Sequence, residues 1–477
     1  MGICFDSAAT IAAGVRNGEY EVVDVVETTL DRIDERGAET NAYITVTASA
    51  ARERAREVQA QLDEGAELPL AGVPVAIKDL SETKAGVPNT KGLEPLADNI
   101  AEETSVTVRR LEAAGAIVVG TTNTPELGHR VRTDNRLQGP TSTPFDTAYN
   151  AGGSSGGSAA ALADGLCVLA TGSDVGGSLR NPAACCGVVA LKPSHGLVPR
   201  GNRVNGFRGH TPIGVLGPMA RDVESLGILL EVLAGKHSVD PLSVPQPDSY
   251  DEPDGSVVDS LRLAYSPDLD CFAVDPSVRN AVRSTLSSLE AAGATVETVS
   301  LETPAYGELT HAYTTTVTTF FATAVAELEA SLGVDLLEAH DAEVPPELRT
   351  LVSMGRSHDI NTYTGTELPR TELFHAIEPV CKEYDALVCP SLATPPLTHD
   401  EPFPQEIDGQ STGGLPTDWT MAWPFNLTGH PVVNVPAGTV DGLPVGMQVV
   451  GETFSEATLL DIAAAVEAVE PWSYPNA

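Results

Sequence analysis

Three short blocks hold the residues whose types could do chemistry. Lys78 closes the apolar run Val73-Pro-Val-Ala-Ile77, with Asp79 following. Ser154, Ser155 and Ser158 lie in Gly152-Gly-Ser-Ser-Gly-Gly-Ser158, and Ser173 and Ser178 in Gly172-Ser-Asp-Val-Gly-Gly-Ser178. Glycine lets a backbone approach a ligand closely, yet runs of it cost ordering entropy. Two such runs at the ends of the alanine-rich stretch Ala159 to Thr171 therefore mark a site rather than a linker. One lysine and two loop serines, with no obvious histidine partner, suggest a serine hydrolase whose base is a lysine.

Each residue also has a plainer role open to it. A lysine at a strand end usually carries its ammonium out to water. A catalytic one must be neutral for part of the cycle, which desolvation allows by lowering its pKa from about 10.4 towards neutrality. Asp79 points opposite to Lys78 on an extended segment, so adjacency does not make it the partner. A Gly/Ser run is most often a linker or a helix cap, but the first run leads straight into Ala159 to Ala163, too apolar for a linker. In the second, consecutive N–H groups of Val175, Gly176, Gly177 and Ser178 can converge on one point, as an oxyanion requires. The Ser178 hydroxyl would then face a carbonyl whose oxygen they hold. Gly152-x-Ser154-x-Gly156 also matches the nucleophile elbow of α/β-hydrolases, which needs a strand just before it and a later Asp…His pair. Thr141 to Asn150 reads as loop instead, and His399 and His430 sit in no telling context. Neither phosphate-binding glycine motif is present.

These blocks must be carried by regular elements. Residues 6 to 63 read as helical, with Asp6-Ser7 capping a first helix, a second closed by Gly37, the strand Ala42 to Val46, and a charged helix Ala48 to Glu64. From Gly72 to Gly120 the pattern is strand, irregular loop, helix, strand. Val188 to Leu191, Arg262 to Tyr265, Thr295 to Val299, Leu387 to Pro390, Val432 to Val435 and Gly446 to Gly451 add strand candidates, and Glu456 to Val469 a last helix. Residues 302 to 380 look mainly helical. The alternation predicts an α/β fold, helices covering a large sheet. Because late segments look like central strands, one interleaved domain over 1–477 is expected rather than two consecutive ones.

Composition bounds the partners. The 477 residues carry Lys+Arg 28 against Asp+Glu 66, a formal net charge of -38 spread along the chain. Such a surface fits adaptation to high salt, where its self-repulsion is screened, or simply an acidic cytosolic enzyme, and argues against nucleic-acid binding, which needs clustered basic residues. No apolar run approaches bilayer length and the N-terminus resembles no export signal, so a cytoplasmic protein without membrane contact is expected. Seven cysteines with no paired CxxC speak against a disulfide framework or zinc site, and the ten histidines show no metal spacing.

Gly72 to Asp79, Gly152 to Ala163 and Gly172 to Pro193 resemble the three defining blocks of the amidase signature family. The likeness extends to Asn123 to Gly128, Phe425 to Pro431 and Gly442 to Gln448, nearly the whole chain. It implies an α/β/α sandwich with a large mixed, mostly parallel central sheet. The N-terminal helical segment would be 1–65, the signature core 66–235, and a variable helical insertion about 302–415. It also implies a Ser–cis-Ser–Lys triad, with Ser178 as acylating nucleophile, Ser154 as bridging serine after a cis Gly153–Ser154 bond, and Lys78 as base. The N–H groups of Val175, Gly176, Gly177 and Ser178 would hold the oxyanion. Ser155 and Asp174 would brace the loops, and Arg180 would do so or touch substrate. The expected reaction is hydrolysis of a small-molecule carboxylic amide to acid and ammonia or amine, without metal or organic cofactor. The amidotransferase A subunit, which releases ammonia from glutamine for misacylated tRNA, shares these blocks and is the second reading. Homodimers are common in the family. Substrate choice is expected from residues 125 to 140, 200 to 210 and 302 to 425, with Phe207, Tyr313, Trp419 and Trp423 as candidates to line an acyl pocket.

Overall fold

The apolar runs line up in one eleven-stranded sheet, seen in a computed structural model that describes residues 2–200, 205–207 and 213–477. Its first strands are β1 (Tyr43–Val46), β2 (Pro74–Lys78) and β3 (Ile117–Thr122). A separate hairpin follows, β4 (Ser142–Thr143) and β5 (Asp146–Asn150). The sheet resumes with β6 (Leu169–Asp174), β7 (Val189–Lys192), β8 (Val215–Ala220), β9 (Arg262–Tyr265), β10 (Thr295–Thr298) and β11 (Ala386–Pro390). After a second small hairpin, β12 (Glu406–Ile407) and β13 (Gln410–Ser411), it closes with β14 (Val432–Val440) and β15 (Leu443–Val450). The spatial order is β1-β3-β2-β6-β8-β7-β14-β15-β11-β9-β10.

Strands β2, β3, β6, β7, β8, β11 and β15 are buried along their whole length. Helices covering both faces explain why they read as near-continuous apolar runs. The helix Val223–Leu233 packs on β8 and the helix Pro276–Ala291 on β14. The large mixed α/β sheet is thus as expected. Its parallel pairing is gathered in two blocks, β3–β2–β6 and β11–β9–β10, while the strands between them run antiparallel. Chain connection dictates part of this. β14 and β15 are joined through Asp441 and Gly442, both at positive φ (51° and 83°), the two-residue turn that only an antiparallel hairpin accepts.

Several boundaries differ from the sequence reading. The second helix, Val22–Thr40, runs through Gly37 and ends at Asn41, whose left-handed backbone closes it. Thr141 to Asn150 is not plain loop but contains the β4–β5 hairpin. β8 escaped notice because Gly217-Pro218 looks like a break. The sheet tolerates Pro218 there because β7 pairs with β8 only at Met219 and Ala220. Residues 201–204 and 208–212, most of the 200–210 loop expected to influence substrate choice, lie outside the described residues. All seven cysteines are free and all but Cys271 are buried. Among the described residues, no helix is long and apolar enough to cross a membrane, and no cluster of three or more His, Cys, Asp or Glu side chains could hold a metal ion.

Candidate active site

Parallel pairing assembles the first half of the site. β2 and β6 are neighbours in the register Ala76↔Ala170. Lys78 at the end of β2 therefore emerges beside Gly172 and Ser173, near the end of β6. After β6 the chain turns sharply through 175–179 into the short helix Arg180–Cys186. The first Gly/Ser run leads into the helix Gly156–Ala163, buried on every side. The two runs are tied together by the Ser155 N–H, which donates to the Ser178 carbonyl at 3.2 Å. The Gly153–Ser154 peptide bond is cis.

Lys78 is 1% exposed. Its Nζ donates to Ser154 Oγ at 2.7 Å, to Ser155 Oγ at 3.0 Å and to Ser173 Oγ at 3.0 Å. All three partners are neutral hydroxyls, so nothing in direct contact compensates the ammonium's charge. Burial consequently lowers the lysine from 10.5 to about 7, against the weaker upward pull of Asp174 and Glu82. Asp79 is not a partner, in line with its expected direction: its carboxylate accepts from Asn89 Nδ2 and from the N–H and hydroxyl of Thr90. Glu82 is buried too. Its Oε2 accepts from Thr171 Oγ1 at 2.5 Å, its Oε1 has no partner, and burial raises it to about 7.

The second glycine run is braced from behind. Asp174 accepts from the Gly177 N–H (2.7 Å), the Leu179 N–H (3.1 Å) and Asn426 Nδ2 (2.8 Å), and forms a two-pronged pair with Arg180 at 3.0 Å on each prong. Burial works to raise this carboxyl, but Arg180 and these hydrogen bonds outweigh it and hold it well below the usual carboxylate range. Arg180 is fully buried, and its remaining donors end on Ala422 O, Gln448 Oε1 and Asn426 Oδ1. It braces the loop and has no donor left for a substrate.

The bracing corrects one expectation. The Gly177 N–H is spent on Asp174, so it cannot also point at an oxyanion. Among the described residues no protein acceptor takes the N–H groups of Val175, Gly176 or Ser178, which leaves three donors rather than four. Both glycines are required by shape. Gly177 sits at φ +103°, and a Cβ there would lie 2.6 Å from Asn181 Oδ1. A Cβ on Gly176 would lie 1.8 Å from the Tyr313 hydroxyl oxygen.

Two cavities meet at Ser178. A smaller one of about 210 Å³ is lined by Ser154, Ser173 and Ser178 together with Phe320, Ala324 and Leu328. A larger one of about 660 Å³ is lined by Gly176, Ser178, Tyr313, Val317, Leu351 and Phe403, among others. Lys78, Ser154, Ser155 and Ser173 are thus hydrogen-bonded together and Ser178 shares a cavity wall with Ser154, while no hydrogen bond joins Ser154 to Ser178. Of the four aromatics considered for a pocket, Tyr313 lines the larger cavity. Trp419 and Trp423 are core residues at 1% and 0% exposure, and Phe207 is 64% exposed. His399 also reaches the larger cavity, but the partner of Ser154 is Lys78, not a histidine, which removes the nucleophile-elbow reading. The sequence assigned no role to Ser173, Glu82, Asn426 or Gln448. For Ser173 a signal existed, since it lies one residue from the Lys78 register position; the others come from distant segments or an irregular loop.

Comparison with known proteins places the whole chain in one family. A family model described as Amidase matches residues 24–460. An acylamidase of Rhodococcus erythropolis is 35% identical, over 98% of this chain and 96% of that protein. The A-type subunit of the glutamyl-tRNA(Gln) amidotransferase of Koribacter versatilis is 32% identical, over 93% of this chain and 94% of its own length. The crystal structure of a bacterial aryl acylamidase of the amidase signature family superposes with a TM-score of 0.92 at 30% identity, covering 99% of this chain and 98% of that one. The chain belongs to the amidase signature family and is a hydrolase acting on amide C–N bonds.

Proposed function

We propose that the amide is cleaved through an acyl-enzyme on Ser178, with Ser154 and Lys78 as the proton relay. The carrying observation is the buried Lys78 amine, brought to about 7 and 2.7 Å from a hydroxyl that shares its cavity with Ser178. Neutral Lys78 takes the Ser154 proton as Ser154 takes that of Ser178, and Ser178 Oγ bonds to the amide carbon. The carbonyl oxygen becomes an oxyanion against the N–H groups of Val175, Gly176 and Ser178. Return of the proton through Ser154 to nitrogen expels the amine, and water, activated by the same relay, splits the ester to the acid. The Ser154–Ser178 hydrogen bond that completes the relay forms when substrate is held in the cavity both serines line. No step calls on a metal or organic cofactor.

The test is release of amine from a neutral anilide by the purified chain, without ATP, tRNA or a partner. Intact-mass analysis should find the acyl group on the peptide carrying Ser178, and Ser178→Ala should release no amine above the uncatalysed rate. Undiminished activity in Ser178→Ala would refute the mechanism. The 32% identity to an amidotransferase component supports a second reading, glutamine-dependent ammonia release for tRNA. Under it, the isolated chain would leave anilides untouched and would work only once partner subunits were supplied.

A further inference from the structure

We infer that the two cavities divide the substrate, the larger receiving the acyl chain and the smaller the departing amine, so that the enzyme selects bulky acyl groups on compact amines. The inference rests on the Ser178–Ser154–Lys78 relay. When Ser178 Oγ has added to the carbonyl, the tetrahedral carbon carries four groups. One is the serine oxygen, and one is the oxyanion, facing the N–H groups of Val175, Gly176 and Ser178. The other two are the acyl chain and the nitrogen. For the C–N bond to break, the nitrogen must receive the proton held by Ser154 and leave with the bonding pair as a neutral amine. Ser154 and Ser173 line only the smaller cavity, whereas Gly176 and Tyr313 line only the larger. The nitrogen and its substituent therefore face the smaller space, and the acyl chain extends past Gly176 into the larger.

Size and polarity then set the preference. A cavity of about 210 Å³ exceeds the roughly 150 Å³ void that holds a benzene ring, enough for ammonia, a short alkylamine or a one-ring amine. The 660 Å³ space lies within the roughly 300–1,000 Å³ of ordinary ligand pockets. Its arginines are anchored to the wall, although Arg132 Nε has no acceptor. Arg130 meets Glu347 at 3.3 Å, while Arg132 donates to the carbonyls of His399 and Glu401 and lies over the Phe403 ring. Val317, Phe321 and Leu351 supply apolar wall. An aliphatic or aromatic acyl group fits this lining.

Two substrate series and two filling substitutions test the assignment. The acyl series is acetyl, butyryl, octanoyl and phenylacetyl on p-nitroaniline. The amine series is ammonia, aniline and 4-aminobiphenyl on one acyl group, octanoyl. In the wild type, kcat/KM should rise at least tenfold from acetyl to octanoyl and fall at least tenfold from aniline to 4-aminobiphenyl. Leu351→Trp fills the larger cavity and should cut the octanoyl-to-acetyl ratio tenfold or more. Ala324→Trp fills the smaller and should cut the anilide-to-primary-amide ratio by as much. Ratios on one variant do not depend on how much of it folds. The opposite pattern, with Leu351→Trp altering the amine ratio and Ala324→Trp the acyl ratio, overturns the assignment while leaving the hydrolase mechanism standing. So does the absence of any change in either ratio. Hydrolysis that persists in Ser178→Ala would instead bring down the mechanism and the assignment with it.

Discussion

The pH dependence of turnover reads the Lys78 amine directly. Lowering this group from 10.5 to about 7 means that the site as a whole disfavours the ammonium by about 5 kcal/mol relative to the amine. The cost is reasonable for a group 1% exposed whose three partners are neutral hydroxyls. At pH 7 about half of the molecules hold the neutral base, against about one in 3,000 for an unperturbed lysine. With a neutral anilide as substrate, kcat/KM should therefore rise about tenfold between pH 6 and pH 8 and level off above it. An unperturbed lysine would give about a hundredfold rise over that interval and no plateau before about pH 10. Initial rates at fixed ionic strength, with Ser178→Ala as the blank, separate the two. A log-linear climb continuing to pH 10 would show that the amine is not depressed; a flat profile from pH 6 to 8 would show that it is not the base. Glu82→Gln supplies the sign test. The Glu82 carboxylate favours the ammonium, so removing its charge should move the rising limb to lower pH; a shift to higher pH would contradict the electrostatics.

Gly176→Ala places a Cβ 1.8 Å from the Tyr313 hydroxyl oxygen and should lower kcat about a hundredfold by displacing an oxyanion donor. Tyr313→Ala in that background should recover part of it, and steady-state kinetics on both variants decide. Arg180→Met leaves the fully buried Asp174 carboxylate without its ion-pair partner and should cost about 3–5 kcal/mol of stability, read as a marked drop in Tm by calorimetry. With a formal net charge of -38, the chain should gain thermal stability as salt rises from about 0.1 M towards 1 M, where the screening length shrinks to about 3 Å; an unchanged Tm would count against salt adaptation.

How far the sequence speaks depends on how locally each feature is determined. Helix Ala8–Arg16 with its Ser7 cap and the buried strands were legible because caps and apolar periodicity are local signals. That Asp79 is not the partner of Lys78 was legible from the sequence, and its carboxylate indeed ends on Asn89 and Thr90. The blocks around Lys78, Ser154 and Ser178 were recognisable as glycine-rich sites, but separate roles for the three came from family resemblance, since spacing along the chain holds no distance in space. Gly177 shows the limit. Its N–H was expected to face substrate with its neighbours, yet whether it turns inward to Asp174 is decided by Arg180 and Asn426, a contact across 252 residues in the second case. β8 was missed because the harmlessness of Pro218 depends on where a neighbouring strand stops pairing. Glu82 offered no signal either. An acidic residue in an irregular loop ordinarily faces water, and only tertiary packing buries it.

The buried charges around the site also bear on the role proposed for Lys78 as base. A lysine beside a free buried carboxylate would keep its proton, because the ion pair would favour the ammonium. Two carboxyl groups act on Lys78, Asp174 and Glu82, and the fold limits each differently. The charge of Asp174 is paired with Arg180 at 3.0 Å and with two loop N–H groups, and what remains of it is the larger of the two upward pulls on Lys78, outweighed by burial. Glu82 has no such partner. Burial raises it to about 7, so near neutral pH it is only partly ionised and exerts less than a full negative charge on Lys78. The same desolvation that makes the ammonium costly thus weakens the anion that would hold it. Arg180, whose donors all end within the protein, therefore bears on the proposed chemistry from behind, by holding the loop whose three N–H groups would face the oxyanion.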